Sequence, residues 1–208
     1  NKKSEVNLLK NYNNCIFFNY PYNHVVINDC LEENKYFSLY NDYPLDEILK
    51  NTNNISVGLR GTLHRLPFEC TDIQNGPWKE LYDNVTSKYF FYDILEALRC
   101  PYEYDFHHFK ISLEFAIHKE LDERIKYRHI DDSIFTLVFY LRDNEDKDKG
   151  GNFLVYDGDN IVNEIKYEQN KIIISSNFDN ESYHGISDKI DTAHFRKTVV
   201  ISASKLND

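Results

Sequence analysis

His129 and Asp131 are the residues whose types and spacing most clearly indicate chemistry. They stand two positions apart in the run YRHIDD, just ahead of a strand-like segment. On an extended backbone, residues i and i+2 project to the same side, so both side chains can reach one point. An imidazole nitrogen and a carboxylate oxygen suit a divalent transition metal. The spacing predicts two metal ligands, and Asp132, which would face the other way, is expected to be structural.

His184 is the natural third ligand. It lies 53 residues beyond Asp131 in the run SYHG, with two or three strand-like segments between them to bring the chain back. The glycine beside it permits close approach of the backbone. Three protein ligands would occupy one face of an octahedron and leave the other positions open. Because a His-x-Asp pair alone arises often by chance, the prediction depends on the ordered set.

Arg196 and Thr198 form a second candidate pair. Arg196 follows His184 by twelve residues, and Thr198 stands two residues further on in a strongly apolar run. The two side chains share one face of the predicted strand, so a guanidinium fork and a hydroxyl could hold a carboxylate together. We predict that this pair anchors an organic acid beside the metal.

The second half of the chain, which must position these residues, is typical of β-structure from residue 106 onward. Turn-type segments separate six short runs of β-branched and aromatic residues: FHHFKISLEFAIH, SIFTLVFYLR, NFLVYD, KIIISSN, SYHGIS and FRKTVVISAS. The charged segment Asp143–Gly151 is expected to be a solvated hairpin loop. Six strands with such connections predict a jelly-roll or cupin-like barrel.

The first half is expected to hold helices and early strands. The run HVVIN, from His24 to Asn28, predicts a short buried strand. A helix is predicted over residues 29–40, with Asp29 as its cap and Glu32 completing a capping box. Residues 51–76, which include Arg60 and Arg65, suit a strand with surface loops.

Two further helices are predicted, one from Pro77, a favoured first-turn residue, and one from Ser87. Apolar residues at helical spacing are expected to face a sheet. They are Trp78, Leu81, Tyr82 and Val85 in the first helix, and Tyr89, Tyr92, Leu95 and Leu98 in the second.

The expected fold class is α+β and mainly β. A double-stranded β-helix core, jelly-roll or cupin-like, would carry N-terminal helices packed on one sheet. The 208 residues contain no linker-like segment and no repeat, and they suffice for one well-filled core. We expect a single domain over 1–208, with the helical cover and early strands in 1–105 and the core with the metal site in 106–204.

Composition excludes some partners. Asp and Glu number 34 against 24 Lys and Arg, and an acidic surface repels a phosphate backbone, so no nucleic-acid partner is expected. The four cysteines form no Cys-x-x-Cys pair, which is typical of reduced thiols and favours a cytoplasmic location. No run approaches the roughly 18 apolar residues of a membrane span, and the first ten residues are too polar for a signal peptide. The chain begins at Asn1 rather than Met, so a missing upstream segment stays open.

The ordered set of His129-x-Asp131, His184 and Arg196, in this strand-rich context, resembles the 2-oxoglutarate/iron(II)-dependent oxygenase superfamily. The resemblance is nearest to its prolyl-4-hydroxylase-like branch. It covers roughly residues 105–204 and includes the hairpin YLR-loop-GG-NFLVY. Near the start, PYNHVVINDCLEENKYFSLYNDYP looks like the strand and helix that open many members, although this part of the likeness is fainter.

The resemblance implies that His129, Asp131 and His184 bind Fe(II). It implies further that Arg196 binds the distal carboxylate of 2-oxoglutarate, with Thr198 as a helper. The reaction would use O2, decarboxylate 2-oxoglutarate to succinate and take ascorbate in a supporting role. Members that halogenate lack the carboxylate ligand, so Asp131 favours hydroxylation. Prolyl hydroxylases proper usually carry lysine where this chain has Arg196, which weakens the narrow prolyl interpretation but not the assignment to the superfamily. A small molecule, an amino acid and a peptidyl proline all remain as substrates.

Two alternatives remain open at this point. A cupin-like module that binds a metal or a small acid without redox turnover would use the same three ligands, but it would not need Arg196 and Thr198. A cupin-type isomerase or hydrolase would need a general base, and the sequence marks none. The substrate and the oligomeric state are not indicated.

Other polar residues of the second half are expected to have structural roles. Four histidines without ligand spacing are assigned to the surface or to packing: His107, His108, His118 and His194. Three tyrosines are assigned to core packing, with a hydroxyl contact to a bound carboxylate as their alternative role: Tyr127, Tyr140 and Tyr156.

Overall fold

The structure, a computed structural model, describes residues 6–51, 55–56, 63–118, 128–147, 149–187 and 194–207. Four α-helices lie within these ranges: α1 (Glu33–Asn41), α2 (Leu45–Lys50), α3 (Pro77–Val85) and α4 (Lys88–Ala97). The strands in the first half are β1 (Ile16–Phe18), β2 (His24–Ile27), β3 (Ile55–Ser56) and β4 (Leu63–Pro67). Those in the second half are β5 (Phe109–His118), β6 (Phe135–Tyr140), β7 (Phe153–Asp157), β8 (Asn160–Ile165), β9 (Ile172–Ser176), β10 (His184–Ile186) and β11 (Arg196–Lys205).

The strands form two antiparallel sheets. The larger has eight strands in the order β1-β2-β9-β6-β11-β5-β4-β3, and the smaller has the order β10-β7-β8. The last strand, β11, lies between β5 and β6 and pairs with β5 along ten residues, from Arg196 opposite His118 to Lys205 opposite Phe109. The register therefore brings residues that are far apart in sequence onto one sheet face.

Two apolar clusters account for the layering. The helices cover one face of the larger sheet, where Trp78 and Phe91 share a core cluster with Phe115 and Phe135. A second cluster contains Val138 and Tyr140 of the larger sheet together with Val155 of the smaller one. Alternation along each strand sends odd and even positions to these two clusters. The molecule is thus mainly β, with few helices.

The predicted strand at His24–Asn28 is confirmed as β2, but the helix after it begins later than predicted. Asp29 has a φ of 46°, outside the helical region, and α1 begins at Glu33 without a side-chain cap. The intervening turn is held instead by Asn170, whose side-chain oxygen accepts from the Leu31 N–H at 3.1 Å. A contact distant in sequence has outweighed the local capping box.

Helix α3 has Pro77 in its first turn and buries Trp78, Leu81 and Val85, as predicted, while Tyr82 is partly buried. Ser87 caps α4, since its hydroxyl accepts from the Phe90 N–H at 3.2 Å.

The segment from Ser87 buries Leu95 and Leu98, as predicted, but not the two predicted tyrosines. Tyr89 is 71% exposed and Tyr92 is 45% exposed, whereas Phe90, Phe91 and Ile94 are buried. The segment offers aromatic residues on adjacent positions, and the apolar pair without hydroxyl groups occupies the core.

The six predicted strands of the second half are all present, as β5, β6, β7, β9, β10 and β11. Residues 106–108 form a 3-10 turn before β5. Strand β8 was not predicted, because most of its residues are exposed on the edge of the smaller sheet. The loop 143–151 is not a purely solvated tip, since Asp146 is 4% exposed and lies 3.2 Å from an Nη atom of Arg142.

The helices within the described ranges are too short and too polar to cross a membrane.

Candidate metal centre

His129 and His184 are brought together by main-chain pairing. Their backbones exchange two hydrogen bonds, with the His129 N–H donating to the His184 carbonyl at 2.9 Å and the reverse bond at 3.0 Å. His184 begins β10, where it stands opposite Val155 of β7. Asp131 lies two residues beyond His129, just before β6. The pairing therefore sets His129 beside His184 at the β10 edge of the smaller sheet, with Asp131 two residues away along the chain.

The three side chains converge. One ligand atom from each of His129, Asp131 and His184 lies within 4.8 Å of the other two. The His184 Nε2 atom is 3.2 Å from Asp131 Oδ2, and the His129 Nε2 atom is 3.6 Å from Asp131 Oδ1. Two imidazoles and one carboxylate form a donor set that suits non-haem iron(II). The residues present thus fit a divalent metal.

The ring of His184 is oriented for this role by its second nitrogen. Its Nδ1 atom is 2.8 Å from the carbonyl oxygen of Ser182 and donates to it, so Nε2 is the nitrogen that faces Asp131 and is available to a metal. The ring of Phe153 stacks on the other side, with centroids 5.2 Å apart and planes at 10°. These contacts leave the ring little freedom.

Asp131 is held as a carboxylate. Burial on its own would raise the pKa of Asp131, but a hydrogen bond from His184, the charge interactions with His184 and His129, and a hydrogen bond from Thr136 outweigh it and lower this pKa well below its usual range. The Thr136 hydroxyl donates to Asp131 Oδ2 at 2.9 Å. A charged carboxylate is the form that a metal requires.

Asn177, which the sequence analysis did not single out, connects the two ligand-bearing segments. Its side-chain nitrogen donates to the carbonyl oxygens of Asp131 at 2.8 Å and Ser133 at 3.1 Å. Its side-chain oxygen accepts from the Ser182 hydroxyl at 2.8 Å. Ser182 in turn supplies the carbonyl that orients His184. One amide therefore fixes both segments, and such outer contacts commonly tune a metal site.

Arg196 is buried, with 2% of its surface exposed. Its Nε donates to the Gly151 carbonyl at 2.7 Å, and one terminal nitrogen lies 3.5 Å from the Tyr140 hydroxyl. The guanidinium also lies 5.2 Å from the ring centroid of Tyr140 and 5.5 Å from that of Tyr167. None of the ion pairs in the described part of the chain involves a carboxylate at Arg196. This buried cation therefore has donors left for an acid.

Gly151 makes the position of Arg196 possible. Its φ is +70°, and a Cβ atom there would lie 3.2 Å from Arg196 Cδ and 3.6 Å from Nε. The second glycine of the Gly-Gly turn is thus required both by its own backbone and by the close approach of the arginine.

One cavity of ≈ 80 Å³ lies between the predicted metal ligands and Arg196. Its lining includes the three predicted ligands, Arg196 and Thr198. The structure therefore places all five predicted site residues around one space. Thr198 is 1% exposed, and its hydroxyl donates to the Ala116 carbonyl at 3.2 Å.

The other candidate residues divide as follows. His107 and His108 are exposed, which agrees with the surface role expected of them, and Asp132 is exposed as well. His118 is 6% exposed, which agrees with the packing role expected of it, and it also lines the cavity. It stands opposite Arg196 in the pairing of β5 with β11, a relation that only the register reveals.

Three tyrosines of the second half and two arginines of the first half were the remaining candidates. Tyr140 and Tyr156 are buried. Arg65 lines the cavity, whereas Tyr127 and Arg60 lie outside the described residues.

Comparison by sequence finds no relative: no family profile and no curated protein matches the chain. Comparison of structures finds many. A prolyl-4-hydroxylase from Pseudomonas putida is similar with a TM-score of 0.59 and 12% identity, over 88% of this chain and 93% of that one. A Trichoplax adhaerens prolyl hydroxylase, solved with a hypoxia inducible factor peptide fragment, gives 0.56 and 14%, over 88% and 83%.

A third similar structure is the viral collagen prolyl hydroxylase of Paramecium Bursaria Chlorella virus-1, solved as a 2-oxoglutarate complex. Its TM-score is 0.53 at 12% identity, over 88% of this chain and 96% of that one. At such identities the likeness is one of fold. The chain has the fold of the prolyl-4-hydroxylase-like 2-oxoglutarate/iron(II) oxygenases.

Proposed function

We propose that this protein is a 2-oxoglutarate- and Fe(II)-dependent dioxygenase that hydroxylates its substrate. The observation that carries the proposal is the convergence of His129, Asp131 and His184 within 4.8 Å on a cavity that also contains the buried Arg196. A metal triad alone is compatible with many activities. A buried cation with unused donors beside the triad favours an organic acid as cosubstrate.

The residues have separate roles in this proposal. His129, Asp131 and His184 hold Fe(II), and Arg196 receives the distal carboxylate of 2-oxoglutarate, with Thr198 beside it. When bound, the iron with 2-oxoglutarate and O2 supplies the oxidation, which yields succinate, CO2 and a hydroxylated substrate. Val138 and Phe153 contribute apolar surface to the wall of the same cavity.

The architecture that we propose is more specific than two antiparallel sheets. We assign the sheets to a double-stranded β-helix, or jelly roll, within a single domain over 1–208, with the N-terminal helices as its cover. The pairing of β11 between β5 and β6 and the apolar cluster between the sheets support this assignment. The four cysteines, all free, accord with the reducing cytoplasm.

The main competing function is a cupin-like module that binds a metal or a small acid without turnover. Arg196 favours the oxygenase, because a simple metal site has no need of a buried guanidinium held by Gly151, Tyr140 and Tyr167.

Anaerobic titration of the Fe(II)-loaded protein with 2-oxoglutarate tests the proposal. Chelation of Fe(II) by a keto acid is followed by visible absorption, and Fe(II) affinity is measured separately by equilibrium dialysis. Charge-assisted hydrogen bonds contribute about 1.5–3 kcal/mol. Arg196→Ala should therefore weaken 2-oxoglutarate binding by about 10- to 100-fold and leave Fe(II) affinity within about threefold of the unaltered protein.

Lys205→Ala is the matched control, because it removes a positive charge from the exposed end of the same strand. It should change neither affinity. Failure of the unaltered protein to bind 2-oxoglutarate, or equal binding by Arg196→Ala, would contradict the proposal and favour the binding module.

A further inference from the structure

Arg65 lies on the same cavity as the predicted metal ligands, and the proposed chemistry does not use it. It stands in the middle of β4 directly opposite Ala116 of β5, which in turn is opposite Thr198 of β11. Adjacent strands are about 4.8 Å apart, so Arg65 and Thr198 are about 10 Å apart across the sheet. All three residues line the cavity. Arg65 is therefore a second arginine on this wall, separated from the proposed cosubstrate anchor by one intervening strand.

Much of the hydrogen-bonding capacity of Arg65 is unused in the part of the chain that the structure describes. A guanidinium has five N–H donors. One terminal nitrogen lies 3.4 Å from Glu114 Oε2, in a pair whose side chains are 41% and 29% exposed. A partly exposed pair of this kind contributes at most about 1 kcal/mol. The Nε atom of Arg65 is buried and has no hydrogen-bond partner among the described residues. An acceptor brought in by a ligand would satisfy such donors.

The charges of the loaded cavity point to an anionic ligand. A divalent metal and Arg196 together supply three positive charges. The Asp131 carboxylate and the two carboxylates of 2-oxoglutarate balance them. Among the described cavity-lining residues, Arg65 is the cation whose charge these three carboxylates do not balance. Glu114 offsets it only through the long contact near the surface.

The other residues of the cavity wall indicate the polarity of the ligand. Val138, Phe153, Ile186 and Val200 give the cavity a largely apolar lining. Such a lining accommodates the aliphatic part of a ligand. A single guanidinium can bind one carboxylate through two parallel hydrogen bonds.

We propose that Arg65 binds a carboxylate of the substrate, and that the substrate is a small carboxylic acid with an aliphatic body. The inference rests on the proposed function, because it takes Arg196 as the anchor of 2-oxoglutarate and leaves Arg65 for the molecule that is oxidised. An internal proline of a peptide has no carboxylate to offer. Among the substrate classes that the sequence left open, a free acid supplies this carboxylate directly, and the assignment therefore favours it over a peptidyl proline.

The test uses calorimetric titration of the full chain, loaded anaerobically with Fe(II) and saturated with 2-oxoglutarate. The probes are the straight-chain acids from acetate to hexanoate, each compared with its primary amide of the same size. At least one acid should bind at least tenfold more tightly than its amide. Arg65→Gln should abolish this preference without changing 2-oxoglutarate affinity, and Arg65→Lys should retain part of it.

Lys205→Gln, which removes one positive charge far from the cavity, is the control and should preserve the preference. Thermal melting establishes that each variant folds. Saturation with 2-oxoglutarate is measured first, and its failure would overturn the proposed function together with this inference. Normal saturation without any preference for an acid, an unchanged preference in Arg65→Gln, or tighter binding of inorganic phosphate than of every acid would overturn the role of Arg65 alone.

Discussion

At the scale of single residues, the site depends on a carboxylate between two imidazoles. Asp131 lies within 3.6 Å of both histidine Nε2 atoms, and its depressed pKa keeps it charged. The sequence predicted these three residues from the spacing of His129 and Asp131 on an extended backbone together with the later His184 and Arg196, and the structure brings the three side chains together. The sequence was not sufficient to predict Asn177 or Gly151, whose importance comes from contacts with residues far along the chain.

Replacing Asp131 by alanine should weaken Fe(II) binding by more than the 10- to 100-fold typical of outer contacts, because a direct ligand is lost. Equilibrium dialysis under anaerobic conditions measures this change. The matched control is Asp132→Ala, which removes the adjacent and exposed carboxylate and should leave Fe(II) affinity unchanged. Global unfolding of Asp131→Ala, or an equal loss in Asp132→Ala, would mean that Asp131 serves the fold rather than the metal.

At the scale of elements, the connection between β6 and β7 positions the proposed acid anchor on β11. Gly151→Ala places a Cβ atom 3.2 Å from Arg196 Cδ and should weaken 2-oxoglutarate binding by about tenfold, close to the value of one displaced hydrogen bond. The same anaerobic titration used for Arg196 measures it.

Gly158→Ala is the matched control for this change. Both glycines have positive φ, so each substitution costs about 1–2 kcal/mol of folding free energy. A Cβ atom added at Gly158 would meet nothing within 4 Å, so its variant should lose stability but keep 2-oxoglutarate affinity. Equal affinity losses in both variants would show that general destabilisation, and not the position of Arg196, is responsible.

The segment after β9 is the second positioning element. Asn177→Ala removes the donor to the Asp131 and Ser133 carbonyls and the acceptor for Ser182. We expect Fe(II) affinity to fall by about 10-fold or more, as for other outer contacts of metal sites. Anaerobic isothermal titration calorimetry or equilibrium dialysis measures the Fe(II) affinity of this variant.

Asn170→Ala provides the comparison for Asn177. Asn170 is also buried and also bonds main-chain groups, at Leu31, but it lies outside the metal network. Its replacement should lower the melting temperature without changing Fe(II) affinity. If the two variants bind Fe(II) equally well, the network around Asn177 has no role in the metal site.

The elements also show how far the sequence could predict the fold. Alternating and apolar runs predicted all six strands of the second half, since their patterns are local. The start of α1 was predicted too early because Asn170, about 140 residues away, holds the turn before it. The exposed strand β8 and the exposure of Tyr89 and Tyr92 were missed because edge pairing and helix rotation are set by neighbours that local periodicity does not contain.

At the scale of the whole molecule, the site is assembled from both sheets. The smaller sheet contributes His184, and the larger sheet contributes Arg196 and Thr198. The segment just before β6 contributes His129 and Asp131. Similarity of fold persists at 11–14% identity to the known structures. An ordered set of a few residues therefore indicated this fold where overall sequence similarity did not. The cavity shape and the position of Arg65 could not be predicted, because both depend on strand register.

The most direct test of the proposed function is the conversion of 2-oxoglutarate by the purified protein. With Fe(II), ascorbate and O2, we predict slow formation of succinate even without substrate, with one CO2 released for each succinate formed. Asp131→Ala should form none, while Asp132→Ala should match the unaltered protein. Absence of succinate from protein that demonstrably contains Fe(II) and binds 2-oxoglutarate would contradict the assignment of this chain as an oxygenase.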